Sequence, residues 1–228
     1  MQQQIPLRFI FDHESRFDTF VIGENAEAIK AIQALGHKSG ERFIYLWGRE
    51  GSGKTHLSQA LCRSCADQQK PVAMLALHNR DQYAPSMLEG LERLSLVCVD
   101  DIHLLAADSV WEEGLFHFYN RAYDCRTPLV VTGIAPPAQL NLQLPDLKSR
   151  LGGGLVLQLK PLNDDQKLVV LQNRAALRGL ELNEDAGRFL LNRHSRDLRE
   201  LLALLDRLDR ASLIEQRRLT IPFLRRHL

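Results

Sequence analysis

The sequence predicts an α/β fold built on a five-stranded parallel sheet, followed by a small all-helical region. Three observations predict it. Short apolar runs alternate with helix-period segments through the first two-thirds of the chain, a glycine-rich loop joins the first run to the first of those helices, and the pattern beyond Pro161 is purely helical. Such alternation implies parallel strands joined by helical crossovers that cover both faces of the sheet.

The five strands are expected at Phe43–Trp47, Val72–Leu77, Leu96–Asp100, Leu129–Gly133 and Leu155–Leu159, each nearly continuous in apolar residues. Between them, 55–67, 85–94 and 109–125 read as helices. In the last third, 164–177, 184–193 and 196–214 have helical period with no strand signal between them. Leu198, Leu201, Leu202, Leu205 and Leu208 form one apolar stripe. Asn163 ahead of Asp164-Asp165-Gln166 has the form of a helix N-cap, and Gly179 of a helix stop.

Gly48-Arg49-Glu50-Gly51-Ser52-Gly53-Lys54-Thr55 follows the first strand and opens the first helix. This spacing is that of a phosphate-binding loop: glycines let the backbone turn its N–H groups onto phosphate oxygens, and the helix adds its positive end. Lys54 is placed for the outer phosphates and the Thr55 hydroxyl for Mg²⁺; His56 at the next position is counted with the nucleotide-binding residues. The cofactor expected is ADP or ATP with Mg²⁺.

Leu96-Val97-Cys98-Val99-Asp100-Asp101 supplies the acidic partner, an apolar strand ending in two carboxylates. Asp100 is expected to hold the metal shell and Asp101 to orient an attacking water. Two arginines complete the constellation: Arg150, before the fifth strand, and Arg199, at the start of a helix in the last third.

The bulk numbers agree with a soluble globular protein. The 228 residues are 25% charged and 45% hydrophobic with net charge +1, which argues against a chain whose main task is wrapping nucleic acid. The start, Met1-Gln2-Gln3-Gln4, has no export signal, and no apolar run reaches membrane-spanning length, so the expected compartment is the cytoplasm. Cys62 and Cys65 form a C-x-x-C, but on a helix and without a second ligand pair. All four cysteines are expected as buried or half-buried packing residues.

In this order, the phosphate loop, the Asp-Asp strand, Leu147-Lys148-Ser149-Arg150 and Leu198-Arg199-Glu200-Leu201 resemble the AAA+ ATPases, and more narrowly the DnaA family. Residues Phe17 to Asn25, with Phe20, Val21 and Ile22, resemble the start of that family's ATPase core, which closes over adenine. The resemblance implies an arginine finger at Arg150 acting in trans and a lid arginine at Arg199. It divides the chain into an AAA+ α/β region, 11–161, and a helical lid, 162–228. The chain ends at Leu228 with no length for the DNA-binding domain of DnaA, and a core with neither end resembles the Hda branch, regulatory inactivators of DnaA. That branch carries a clamp-docking peptide at its start, and Gln4-Ile5-Pro6-Leu7-Arg8-Phe9 within 1–10 has the matching form, with Gln4, Leu7 and Phe9 as anchors.

The resemblance implies DnaA and the sliding clamp (the β subunit of DNA polymerase III) as partners, with DNA reached only through the clamp, no membrane, and self-association open. Ile134 stands where a polar sensor residue is expected after the fourth strand, and Thr132 is the short-reaching substitute. Asp101 stands where many AAA+ motors have glutamate. Weak or no intrinsic ATP hydrolysis is therefore expected, the chain acting mainly as activator of the DnaA ATPase. The rival readings are an autonomous AAA+ ATPase of helicase-loader or initiator type, and a nucleic-acid-binding protein using Arg217, Arg218, Arg225 and Arg226.

Overall fold

The computed structural model describes residues 14–37, 40–106 and 108–228. Five parallel strands, β1 (Phe43–Trp47), β2 (Val72–Ala76), β3 (Leu96–Asp100), β4 (Leu129–Gly133) and β5 (Leu155–Gln158), form one sheet in the order β2-β3-β4-β1-β5. The side-chain period of two sorts their residues into two cores. Phe43, Tyr45, Val97, Val99, Leu129 and Val131 face α3 (Ser109–Asp124) and α4 (Pro145–Gly152). Ile44, Leu46, Met74, Cys98 and Val130 face α1 (Ala26–Ala34) and α2 (Lys54–Asp67). Edge strand β5 departs from the continuous apolar expectation, alternating half-buried with exposed residues because one side of it has no neighbour.

Four helices follow: α5 (Asp164–Leu177), α6 (Glu184–Arg193), α7 (Leu198–Glu215) and α8 (Ile221–His227). They share a separate leucine-rich core including Leu171, Leu190, Leu201, Leu205 and Phe223. The Asn163 cap forms with its reciprocal Gln166 bond, and Gly179 takes φ +73° just past α5. Asn25, ahead of α1, bonds both backbone groups of Lys160 and so ties the segment before α1 to the end of the sheet.

Several sequence expectations are corrected. Residues 85–94 make two short 3₁₀ turns instead of a helix, because Gly90 at φ +84° breaks the run between them. Helices α1 and α8 have no counterpart in the sequence reading, and α7 starts at Leu198, behind an Asp197 cap, not at Arg196. Cys62 and Cys98 are buried with sulfurs 3.4 Å apart and Cys65 is half-buried, but Cys125, just past the end of α3, is exposed. Among the described residues, no helix is long and apolar enough to cross a membrane.

Candidate nucleotide-binding site

The loop between β1 and α2 leaves the carboxyl edge of the sheet, where open α/β sheets present their crevice. Gly51 and Gly53 adopt φ +73° and +96°, conformations that side-chain-bearing residues rarely hold. Gly53 has a second constraint, since a Cβ there would lie 2.6 Å from Phe20 Cε2. A Cβ on Gly48 would meet the Leu159 carbonyl oxygen at 2.6 Å and Ser52 Oγ at 2.9 Å. No side chain caps α2, so the N–H groups of its first turn are left for an anion. Ser52 Oγ is buried without a hydrogen-bond partner among the described residues.

Lys54 is buried, its Nζ donating to the Gly48 and Arg49 carbonyls at 2.9 and 3.2 Å. Burial lowers its pKa, against the opposing pull of Asp101, Asp100 and Glu50. Asp100, 1% exposed, accepts from Thr55 Oγ1 at 2.7 Å and from Thr132 Oγ1 at 2.6 Å. Burial raises its pKa; the two hydroxyl bonds and Lys54 partly oppose this, while Asp101 adds to it.

Thr132 also accepts from the Asp101 N–H at 2.9 Å, so it braces both aspartates from within the sheet and does not line the cavity described below. Strand β4 lies between β3 and β1, and the Val99–Val131 pairing sets Thr132 beside Asp100. Asp101 holds the left-handed conformation, φ +61°, at the wall of a cavity of about 550 Å³. His103 Nδ1 lies 3.8 Å from its carboxylate, and burial lowers the pKa of that imidazole.

The same cavity is bounded by the loop on one side and by α5 and α7 on the other. Arg199 reaches across from α7 to pair with Glu50 of the loop, and its own N–H is fixed by the Asp197 cap at 2.7 Å. Phe20, Val21 and His56 line the cavity, with the Phe20 and His56 rings 5.4 Å apart. Ile22 does not line it: 49% exposed, it turns outward as the chain bends into Gly23 at φ +53°. Glu14 closes the rim by pairing with Arg174 of α5 and with Arg178, the residue just past its end.

Arg150 is not brought to this cavity. It is exposed in the last turn of α4, and Gly154, just beyond that helix, abuts Phe43 at the first residue of β1. Its charge is felt by Tyr119, whose ring packs on Phe43 at 4.9 Å. The loop leaves from the other end of β1, five residues or roughly 16 Å away. Gln4, Leu7 and Phe9 lie outside the described residues.

The residues present fit a nucleotide polyphosphate and a hard cation. Glycines, free N–H groups and Lys54 suit phosphate oxygens, and the Thr55 and Asp100 oxygens suit Mg²⁺. The sequence reading missed Glu14, Arg174 and His103, which carry no motif. It also missed Glu50, although its charge opposite Arg199 was legible once both segments were placed together.

Two family models match: the bacterial DnaA ATPase domain over residues 11–158, and the Hda lid domain over residues 164–228. Among solved structures, domain III of the Thermotoga maritima replication initiation protein DnaA is 21% identical with a TM-score of 0.84, covering 96% of this chain and 98% of that one. AMPPCP-bound DnaA from Aquifex aeolicus is 21% identical with a TM-score of 0.70, covering 88% of this chain and 66% of that one. The Thermotoga maritima RuvB Holliday junction branch migration motor is 18% identical with a TM-score of 0.63, covering 89% of this chain and 68% of that one.

Proposed function

We propose, from the premise that this chain belongs to the bacterial DnaA ATPase family, that it is a negative regulator of replication initiation acting on DnaA itself. In this reading residues 11–161 form the nucleotide-binding domain, 162–228 the lid, and 1–10 a peptide that tethers the chain to the DNA-loaded sliding clamp in the cytoplasm. The match of the last third to the Hda lid supports the assignment.

Bound ADP or ATP with Mg²⁺ supplies the polyphosphate charge and the divalent cation. The loop N–H groups and Lys54 hold the phosphates, Thr55 and Asp100 hold the cation, and Phe20 and Val21 close over the base. Arg199 joins lid to loop through Glu50, so the lid meets the loop at the site where the nucleotide binds. Asp101 orients water, with Thr132 fixing its backbone.

The observation that carries the regulator reading is the place of Arg150. An exposed arginine at the sheet edge opposite its own phosphate loop is out of reach of its own nucleotide and open to another subunit's. Set beside the nucleotide of an adjoining DnaA, it neutralises charge that develops on the transferred phosphoryl group, an effect on the order of 10³–10⁵ in rate. The test is DnaA-bound ATP hydrolysis with and without DNA-loaded clamp. Stimulation is expected to need the clamp, to fall by that order in Arg150→Ala, and to disappear in Gln4→Ala. An Arg150→Ala protein that folds and still stimulates fully would refute the reading.

The Asp100–Thr55–Thr132 network, assembled within this chain alone, favours the second reading, an autonomous ATPase. That reading requires steady hydrolysis without DnaA and its loss in Asp100→Ala.

A further inference from the structure

One fully buried carboxylate has no part in the nucleotide cavity. Glu112, in the first turn of α3, is 0% exposed. Both of its oxygens accept from the backbone N–H of Gln143, at 3.0 and 2.8 Å, and Oε2 also accepts from the N–H of Leu144 at 2.8 Å. These N–H groups belong to the two residues that lead into α4. The helix opens on Pro145, which has no N–H to offer, and no side chain of its own caps it. Glu112 therefore does from a neighbouring helix what an N-cap does locally, and places negative charge at the positive end of α4. A carboxylate withdrawn from water to this degree carries a large desolvation cost that only such bonds offset.

Helix α4 is eight residues long and is otherwise held by Leu147 and Leu151, each 1% exposed, in the core it shares with α3. Two leucines fix which face of the helix turns inward, but apolar contact is non-directional and sets position along the axis loosely. The Glu112 bonds supply a directional stop at the amino end. Arg150 lies on the same short helix, between those leucines in its last turn, so a shift at the amino end is passed directly to its guanidinium.

We propose that Glu112 is a positioning residue for Arg150, setting the register of α4 so that the guanidinium meets a partner's nucleotide; this rests on the arginine-finger reading above. Misplacement of a catalytic group by about 1 Å can cost on the order of 10²-fold in rate without weakening the encounter. Glu112→Gln keeps the shape but sets an amide NH₂ against one of the backbone donors. Its maximal stimulation of DnaA is accordingly expected to fall roughly 10- to 100-fold. The concentration giving half-maximal stimulation, and the variant's own nucleotide affinity, stay as in the unaltered chain.

The experiment titrates the full chain, Glu112→Gln and Arg150→Ala against DnaA–ATP with DNA-loaded clamp, alongside amide exchange at Gln143 and Leu144. A lowered plateau at unchanged half-saturation, with faster exchange at those two amides, is the expected result. If Arg150→Ala abolishes stimulation while Glu112→Gln keeps the full plateau, the positioning role is overturned and the finger stands. A shifted half-saturation at full plateau would make Glu112 part of a contact face and overturn the role equally. Full stimulation by Arg150→Ala removes the finger reading, and this proposal with it. Should Glu112→Gln not fold, Glu112→Asp, which keeps the charge but shortens its reach to the Gln143 and Leu144 N–H groups, must lower the plateau in the same way.

Discussion

Replacing Thr132 by valine tests how the acidic end of β3 is held. The side chain is fully buried, and valine keeps its shape, so no cavity opens. Two bonds are lost: the 2.6 Å donation to Asp100 and the 2.9 Å acceptance from the Asp101 N–H. A hydrogen bond to a charged group contributes about 2 kcal/mol, and leaving a part-buried N–H unpaired costs about 1 kcal/mol, roughly 3 kcal/mol in all. At about 2–4 °C per kcal/mol for a chain of this size, the melting temperature should fall by roughly 6–12 °C.

The loss should also depend on pH. Burial holds the folded-state pKa of Asp100 above its ordinary value, so ionising it costs stability as pH rises through that folded pKa. Losing the Thr132 bond raises this pKa further, so the variant's deficit grows toward high pH and shrinks as Asp100 is protonated. Urea unfolding followed by tryptophan fluorescence reads this directly, because Trp47 and Trp111, the two tryptophans, both pack in the α/β core. A deficit under about 1 kcal/mol at pH 8, or one independent of pH, would show that Thr132 does not anchor these carboxylates.

Gly53→Ala forces a Cβ into the left-handed loop and against Phe20; a stability loss of about 2 kcal/mol and at least a tenfold weaker ADP affinity by calorimetry are expected. Wild-type affinity would mean the loop relaxes freely. Glu14→Gln removes the charge that faces Arg174 and Arg178 at the cavity rim, and differential scanning calorimetry should show the lid destabilised by about 1–2 kcal/mol. An unchanged thermogram would assign the lid's hold to Arg199 and Glu50 instead. Arg150→Ala and Glu112→Gln, both expected to lower the plateau of DnaA stimulation, complete the set.

What the sequence makes legible follows the range of the interaction. The glycine loop, the Asp-Asp strand end and the Asn163 cap are local, with every participant within a few residues, and each forms as read. Residues 85–94 were misleading because Met87, Leu88, Leu91 and Leu94 imitate a helical face, whereas Pro85 and Gly90 decide the backbone. The contacts that fix these side chains in place join distant segments: Thr132 to Asp100, Glu14 to Arg178, Glu112 to Gln143. They depend on strand order and helix packing, which no spacing along the chain encodes. Arg150 shows both sides of this. Its place before β5 is visible in the sequence, but its exposure at the far sheet edge follows only from the parallel pairing of β5 with β1.

The most direct test is single-turnover hydrolysis of ATP preloaded on DnaA, with DNA-loaded clamp and this chain carrying ADP, comparing Arg150→Ala with Arg199→Ala. The account predicts that Arg150→Ala binds ADP normally yet stimulates on the order of 10³-fold less. Arg199→Ala should instead weaken ADP binding. Undiminished stimulation by Arg150→Ala, or weaker ADP binding by that same variant, would contradict the assignment of Arg150 to a partner's nucleotide.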